Sequence, residues 1–528
     1  MSTNTYDIVV VGGGSNSLTT AAYLAKAGKN VLVLEKNDTC GGGVVSMSPA
    51  PGFICDPHAA AMGTCLPNPA IANDELGLLG KFGLEFTHPE ANFATMFDDG
   101  TGMLTYPDLD KSCETIAFFS ERDAENYRHF VRDCQQILPL LLMGYYAPPL
   151  PFGDFINLLD QSPQGQRLVG AMLDSAYDFL NSMFESPELK MHILKWVGEM
   201  MVNPEAKGTG IVPFMLMGMM HKSRMGIVVG GSQNMTKALI RCFESHGGTV
   251  RTNAEVVKIN MSGGKTTGVT LKDGEVITAR DAVVGCIHPW DLGDMIEGID
   301  LGVAQRARNV LLSDYGAINQ QYALTEAPVW KAGPQYKGCI MNECIKRDMT
   351  SMRRGFDHYR YGEMPLKHLS PLISIQSDFD PSRAPAGKST MYLYHFAPLQ
   401  LAKGGLEGWD GIKDEVADAV FDEFCSYTTN MDKSKVIARH VETPLDHHRH
   451  SRSMKNGDIF GCGSFTSQFM GRRPTPELAQ FRVPGIDSFY LVGPFMHPGG
   501  TVTLGGRATA MKMMMDWDMD LSQAFTAF

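Results

Sequence analysis

The sequence lacks an excess of basic residues: 46 lysines and arginines stand against 58 aspartates and glutamates, which gives 528 residues a formal net charge of −12. Because binding a phosphate backbone requires a basic face, this balance argues against a nucleic-acid partner. The sequence also lacks an apolar run of the roughly 18–20 residues that a membrane span requires. The longest runs, Ile137–Met143 and Ile211–Met220, are cut by proline. We therefore expect no transmembrane span, and peripheral membrane contact stays open.

Paired cysteines are missing as well. The eleven cysteines are scattered, their number is odd, and none forms a Cys-x-x-Cys pair. No secretory signal precedes the first predicted strand, so the pattern favours reduced thiols in a cytoplasmic protein.

There is no internal repeat and no low-complexity segment. The chain is too long for one compact core, which predicts two domains.

The first 35 residues have the pattern of a strand, a helix and a second strand. Tyr6–Val11 is a run of apolar and β-branched residues, typical of a strand buried on both faces. Apolar residues then recur at helical spacing from Leu18, and Gly28 ends the helix. The segment Asn30–Glu35 is the second strand and ends in an acid. The pattern predicts an α/β fold that begins with a βαβ unit. Farther along the chain, the sequence predicts a helix over Gln164–Phe184 and a strand over Thr249–Lys258.

The turn between this strand and this helix has the composition of a dinucleotide phosphate loop. Gly12 permits the tight turn, and Gly14 has no side chain to block a pyrophosphate. The helix that starts near Ser15 directs its free N–H groups at the anion. A serine occupies position 17, where a third glycine is usual. Glu35 lies 21 residues after Gly14, where a carboxylate accepts hydrogen bonds from ribose hydroxyls. The predicted cofactor contacts here are Gly12, Gly14, Ser15, Asn16, Ser17, Glu35 and Lys36.

A second glycine-rich turn, Cys40–Gly43, follows the ribose acid. Such a turn brings backbone close to the remainder of a longer, extended cofactor, and NAD dehydrogenases have nothing comparable at that spacing. We therefore predict FAD rather than NAD as the cofactor, with Gly42 and Gly43 in contact with it.

At this point the sequence resembles a known family. Residues 7–46 resemble the N-terminus of the phytoene-desaturase-like flavoproteins, which include carotenoid desaturases and isomerases and are relatives of the flavin amine oxidases. Residues 51–59, 230–259 and 283–289 continue the resemblance, and residues 457–510 carry its strongest part. The resemblance implies a Rossmann-type FAD-binding domain of the amine-oxidase (GR2) kind, with a discontinuous α+β substrate domain.

The resemblance also implies how the two domains divide the chain. Residues 1–90, 225–300 and 455–528 would form the FAD-binding domain. Residues 91–224 and 301–454 would form the substrate or lid domain.

The same resemblance places further contacts to the cofactor late in the chain. Val256 would lie where backbone contacts adenine, and Gly493, after the strand Phe489–Val492, would let the chain approach the ribityl or pyrophosphate. Gly499–Val502 is predicted to open a helix whose N–H groups face flavin O2 or a phosphate oxygen. The predicted contacts in this turn are Gly500, Thr501 and Val502.

Two histidines are the candidate catalytic residues. The flavin accepts the hydride, so the protein positions the substrate and helps to remove a proton. His497 lies in the glycine turn beside the expected ring, with a packed turn residue as the alternative. His58 follows the second glycine turn, with a buried structural histidine as the alternative.

The histidine-rich segment 446–450 lacks the ligand spacing of a zinc site, so we predict a solvated loop and no metal. Arg472 and Arg473 are candidates for neutralising pyrophosphate or an acidic substrate, or for a surface salt bridge. Arg507 is a candidate for capping the last helix or for reaching the flavin.

The leading functional hypothesis is an FAD-dependent dehydrogenase or desaturase that forms a C=C bond in a hydrophobic or alicyclic substrate. The predicted pocket walls are Phe152–Phe155, Phe179–Phe184 and Ile211–Met220. Three alternatives stay open: a redox-neutral isomerase that uses reduced flavin, an amine or amino-acid oxidase, and a catalytically silent flavoprotein. The lysine that binds a water near flavin N5 in many amine oxidases has no recognisable counterpart, which favours C–C chemistry. The electron acceptor (oxygen or a quinone) and a homo-oligomeric state also stay open.

Overall fold

The computed structural model describes residues 4–527. The strands are β1 (Thr5–Val11), β2 (Val31–Leu34), β3 (Phe86–Thr87), β4 (Ala91–Phe97), β5 (Gly102–Thr105), β6 (Ile227–Val228), β7 (Thr249–Arg251), β8 (Val256–Ser262), β9 (Lys265–Leu271), β10 (Val276–Gly285), β11 (Gly316–Leu324), β12 (Cys339–Ile345), β13 (Leu372–Ser374), β14 (Ser389–Ala397), β15 (Val436–Glu442) and β16 (Phe489–Leu491). The helices are α1 (Ser15–Lys26), α2 (Pro69–Ala72), α3 (Leu109–Ala117), α4 (Glu121–Tyr145), α5 (Phe152–Leu159), α6 (Pro163–Leu173), α7 (Ala176–Met183), α8 (Pro187–Gly198), α9 (Ile211–Met220), α10 (Gln233–Ser245), α11 (Leu292–Met295), α12 (Leu301–Arg308), α13 (Met349–Arg360), α14 (Trp409–Cys425), α15 (Pro444–His450) and α16 (Gly506–Asp516).

The first sheet has the order β7-β2-β1-β10-β9-β8, with β16 also paired to β10. Strand β1 is parallel to both β2 and β10. Ile8 and Val10 pack on one face with α1, α10 and α16, whereas Val9 and Val11 pack on the other face. Both faces of β1 are therefore buried, as its continuous apolar sequence predicts.

The second sheet has the order β15-β11-β14-β13-β12-β4-β5. Strands β12 and β4 are parallel, and the other neighbours are antiparallel. Helix α14 packs its apolar face, which includes Trp409 and Phe421, against β11 residues such as Tyr322. The helices between residues 109 and 220 bury a separate apolar cluster beside this sheet.

The strands of the two sheets come from different parts of the chain. The first sheet takes its strands from residues 5–34, 249–285 and 489–491, and the second from residues 91–105 and 316–442. The α/β architecture predicted from the sequence is confirmed, while the division into domains at the stated boundaries stays a prediction. Within residues 4–527, none of the helices is long and apolar enough to cross a membrane.

Four predicted elements differ from the structure. The strand predicted at residues 249–258 is broken into β7 and β8, and the helix predicted at 164–184 is α6 followed by α7. The second break occurs because Ser175 caps a new helix by accepting a hydrogen bond from the Asp178 N–H. The helix predicted to open at 499–502 begins only at Gly506.

The fourth correction concerns the segment 446–450, which is not a solvated loop. It belongs to α15, which begins with a capping box formed by Thr443 and Asp446. The side chain of His447 is fully buried. A helix packed on the second sheet therefore replaces the predicted loop.

Candidate cofactor and substrate cavity

The carboxyl ends of the central parallel strands open into one large cavity, the position at which doubly wound sheets bind their ligands. Val11 ends β1, Leu34 ends β2 and Cys286 follows β10, and all three line this cavity. It encloses about 2170 Å³ of space not filled by protein atoms, its open mouth included. The cavity continues from the first sheet to residues of the second sheet, such as Tyr392 and Tyr394 in β14.

The first glycine turn leaves free space where a pyrophosphate is expected. Gly12 has a φ of +91° and donates its N–H to the Leu34 carbonyl at 2.7 Å, which closes the tight turn. A Cβ added at Gly14 would meet no protein atom within 4 Å. Helix α1 begins at Ser15, so its free N–H groups face this space. The buried Ser17 hydroxyl has no hydrogen-bond partner among residues 4–527.

The carboxylate of Glu35 ties the first turn to the residues that follow β2. Its Oε2 accepts the Gly13 N–H at 2.7 Å, and its Oε1 accepts the Asn37 N–H at 2.9 Å. A carboxylate has about four lone-pair sites, so each oxygen can still accept a ribose hydroxyl. Lys36 also lines the cavity, and partial burial lowers the pKa of its ammonium group.

The second glycine turn lies against the first. The Gly41 N–H donates to the Gly13 carbonyl at 2.9 Å, and Gly41 and Gly42 have φ values of +136° and +61° that side chains rarely adopt. Gly42 and Gly43 both line the cavity. The two turns therefore form one glycine-lined cradle.

The late segments of the chain meet the same cradle. Val256 lines the cavity directly after the break between β7 and β8. Gly493, with a φ of +141°, lines it as well, and the Thr501 hydroxyl lies 2.8 Å from that of Thr64. The structure thus brings together around one cavity every residue predicted to contact the cofactor: Gly12, Gly14, Ser15, Asn16, Ser17, Glu35, Lys36, Gly42, Gly43, Val256, Gly493, Gly500, Thr501 and Val502. An elongated dinucleotide fits this arrangement of bare glycines, a free helix N-terminus and an unpartnered hydroxyl.

Beyond the glycine cradle the cavity becomes apolar, and we call this part the apolar lobe. Its lining residues are Trp196, Met200, Leu216, Met219, Met220, Met225, Met341, Leu372, Tyr392 and Tyr394. Of the predicted pocket walls, the segment 211–220 contributes to this lining, whereas residues 152–155 and 179–184 do not. Flexible, polarisable methionines suit a pocket that adapts to an apolar ligand.

The acidic residue Glu199 lines the cavity at the apolar lobe. It follows α8, and Lys195 on that helix donates to its Oε1 at 3.1 Å. Lys195 also contacts Glu343 Oε2 at 2.9 Å and is completely buried. Burial raises the pKa of Glu199, although the charge of Lys195 opposes the rise. Burial likewise raises the pKa of Glu343 to about 8.

One ammonium group therefore faces two buried carboxyl groups, and burial favours the protonated form of each of them. Sequence inspection missed Glu199. The available signals were the helical spacing of Lys195 and Glu199 and the acid Glu343 inside the apolar strand β12, but neither signal shows that the groups meet.

The two candidate catalytic histidines have different surroundings. His58 lines the cavity beside Gly43. His497 does not line it: the ring is buried, and its Nε2 lies 2.8 Å from the Gly144 carbonyl. Burial lowers the pKa of His497 to about 4. His497 is thus not among the residues that line the cavity, and its role in catalysis stays a prediction.

The candidate arginines do not reach the cavity either. Arg473 is buried and donates to backbone carbonyls, among them that of Pro494 at 2.9 Å, so the predicted surface salt bridge is wrong for this residue. Arg472 lies over the ring of Phe152. Arg507 is paired with Glu75. These contacts assign all three arginines to packing between segments.

Comparisons with known proteins agree with this geometry. The family model of flavin-containing amine oxidoreductases matches residues 18–441. One of the limonene dehydrogenase chains of Castellaniella defragrans is 26% identical over 98% of this chain and 95% of its own length. Phytoene desaturase (lycopene-forming) of Pantoea ananas is 24% identical over 96% of this chain and 99% of its own length.

Among solved structures, an oxidoreductase from Methanosarcina mazei superposes with a TM-score of 0.63 at 16% identity, over 97% of this chain and 99% of its own. A structural likeness at this identity shows the fold. The resemblance and the Rossmann-type fold class expected from the sequence are confirmed.

Proposed function

The chain belongs to the family of flavin-containing amine oxidoreductases, and on this premise we propose that it dehydrogenates a hydrophobic or alicyclic substrate to form a C=C bond. FAD is its cofactor, and the chain is an FAD-dependent oxidoreductase. The residues that would hold FAD are those of the glycine cradle, with Glu35 at the ribose and the N-terminus of α1 at the pyrophosphate.

The main support for this proposal is that the glycine cradle and the apolar lobe form one continuous cavity. The lobe offers methionine, tryptophan and tyrosine side chains and the acidic residue Glu199. An apolar substrate gains by leaving water for such a lining. The names of two relatives, a limonene dehydrogenase and a phytoene desaturase, support a hydrocarbon substrate.

The reaction needs an acceptor for a hydride and an acceptor for a proton. FAD held in the glycine cradle would supply the hydride acceptor. Glu199, in its ionised form, takes the proton from the neighbouring carbon, and the electron pair of that C–H bond becomes the new π bond. Lys195, which also pairs with Glu343, holds the Glu199 carboxylate in place. Oxygen or a quinone then removes the two electrons from the protein.

The test is anaerobic mixing of the FAD-loaded protein with a panel of cyclic and linear isoprenoid hydrocarbons. We expect at least one of them to bleach the flavin absorbance and to yield a product lighter by two hydrogens. In Glu199→Gln the rate of bleaching should fall about 10²- to 10⁴-fold while FAD stays bound, the range expected for loss of a general base. The matched control is Glu205→Gln, since Glu205 is exposed and lies outside the cavity.

Three outcomes would contradict the proposal. Bleaching by amines but by no hydrocarbon would indicate an amine oxidase. Turnover of a hydrocarbon only after chemical reduction of the flavin, without loss of hydrogen, would indicate an isomerase. An unchanged rate in Glu199→Gln would remove this residue from the mechanism.

A further inference from the structure

A cluster of two histidines and a glutamate lies beside the cavity, and the proposed reaction does not use it. His58 Nε2 lies 3.3 Å from Glu442 Oε2, and His447 Nε2 lies 3.7 Å from the same oxygen. One ligand atom from each of the three residues can be chosen so that all lie within 4.8 Å of one another. The residues come from three segments: the loop after the second glycine turn, the end of β15, and α15.

The polar atoms of this cluster lack partners inside the protein. Both ring nitrogens of His58 and of His447, together with Glu442 Oε2, are buried without a hydrogen bond to any of the described residues 4–527. His447 is fully buried, and the side chain of His58 is 9% exposed. Buried polar groups are almost always paired, because leaving one unpaired costs free energy.

Bound FAD does not remove this deficit. His58 lines the cavity and can gain a partner from the cofactor, but His447 and Glu442 do not line it. The missing partner must therefore lie between the three side chains and contact all of them. From the chemistry and position of these groups we propose that His58, Glu442 and His447 bind a divalent transition-metal ion of the Zn²⁺ type.

The two distances from the histidines to Glu442 Oε2 agree with ligands that share one ion. Zinc lies about 2.0–2.2 Å from imidazole nitrogen and carboxylate oxygen, so neighbouring ligands in a tetrahedron are about 3.3–3.5 Å apart. The observed separations of 3.3 and 3.7 Å are close to that value. The rings of His58 and His447 lie at 68° to each other with centroids 5.3 Å apart, so they are not stacked.

The surroundings of the cluster support the same chemistry. The Oε1 atom of Glu442 lies 3.0 Å from His440 Nε2, a contact that orients the carboxylate as outer-shell partners do in metal sites. Two imidazoles and one carboxylate are ligands that zinc and other first-row divalent ions accept, with a fourth position left for water. The ion would join the loop that carries His58, which forms part of the cavity wall, to β15 of the second sheet and to α15.

The test uses the FAD-loaded protein, stripped with a chelator and then titrated with Zn²⁺. We expect about one equivalent of zinc by elemental analysis and a rise in the thermal unfolding midpoint on binding. Glu442→Gln and His447→Ala should each weaken zinc binding more than about 100-fold, since loss of an outer-shell partner alone costs about 10- to 100-fold. His447→Ala leaves a cavity in the protein, whereas Glu442→Gln preserves the size of the side chain. The FAD content of both variants shows whether the fold is intact.

The matched control is His448→Ala. His448 is the next residue on α15, is partly exposed, and accepts a hydrogen bond from the Asn456 N–H. The variant should bind zinc as the wild type does. The proposal is overturned if the wild type binds zinc no more tightly than Glu442→Gln, or if His448→Ala loses zinc to the same extent as His447→Ala. Either result would leave the cluster as an ordinary ion pair between histidine and glutamate.

Discussion

Arg507 donates two parallel hydrogen bonds to Glu75, from Nε and Nη2 to the two carboxylate oxygens, each at 2.8 Å. Both side chains are buried, and the Tyr23 hydroxyl donates to the same carboxylate at 2.6 Å. Arg507 also donates to the Tyr146 carbonyl at 2.9 Å. The residue therefore connects the last helix to α1, to the turn after α2 and to the end of α4.

Replacement of Arg507 by methionine should destabilise the protein strongly. The substitution leaves the Glu75 carboxylate buried without its cation, and breaking a buried pair in this way costs about 3–5 kcal/mol of the free energy of unfolding. Urea denaturation measures the loss. The double variant Arg507→Met/Glu75→Met should recover most of it, because no charge then stays buried alone.

The control for this prediction is Arg449→Met, which breaks the exposed pair between Arg449 and Asp410. Exposed pairs contribute little, so its urea midpoint should match that of the wild type. Equal losses in Arg507→Met and Arg449→Met would mean that the buried pair is not an important link between these segments.

Gly14 offers a test of the cradle that does not disturb the protein around it. Its φ of −70° suits any residue, and an added Cβ would meet only open cavity. Gly14→Ala should therefore fold normally but hold FAD less tightly, since the methyl group occupies space reserved for the pyrophosphate. We expect a loss of affinity of at least about tenfold, equivalent to about 1.4 kcal/mol, measured by fluorescence titration of the apoprotein with FAD.

The control is Gly153→Ala, in α5, where an added Cβ also meets nothing within 4 Å. Gly153 does not line the cavity, so FAD affinity should not change. If Gly14→Ala binds FAD as tightly as Gly153→Ala does, the pyrophosphate does not pass beside Gly14.

The cradle could be predicted from the sequence because its parts are local. Gly12, Gly14 and Glu35 belong to one βαβ unit, in which the strand, turn and helix fix their relative positions within a few residues. The late contacts, such as Gly493, were predicted only through the family resemblance. The broken strand has a physical reason: Asn253 adopts a φ of +52° and the Ala254 N–H donates to the Glu35 carbonyl, which turns residues 253–256 toward the cavity.

Groups that meet only through tertiary structure were missed. The pair of Lys195 and Glu199 meets Glu343 from a strand of the second sheet, and His447 meets His58 from a distant segment, so no spacing in the sequence shows that either cluster forms. The C-terminal helix was predicted too early for a local reason. Gly499, with a φ of +125°, and Leu504, with a φ of +53°, keep the chain in turns until Gly506.

The loss of activity at low pH should depend on the pKa of the carboxyl groups around Glu199. The base acts only as a carboxylate, and burial raises its pKa above the ordinary value of 4.5. The rate of flavin reduction by substrate should therefore fall, as pH decreases, at a pH higher than that at which an ordinary glutamate titrates. Because Lys195 faces both Glu199 and Glu343, the apparent pKa belongs to this group of interacting residues and not to Glu199 alone. Lys195 opposes the rise in the Glu199 pKa, so Lys195→Met should move this decrease in rate to still higher pH.

Stopped-flow measurement of flavin reduction across a pH series gives the shift. The control is Lys190→Met, a partly exposed position on the same helix, which should leave the pH dependence unchanged. A decrease in rate that stays at the same pH or moves to lower pH in Lys195→Met would show that the titrating group is not the carboxyl beside this lysine.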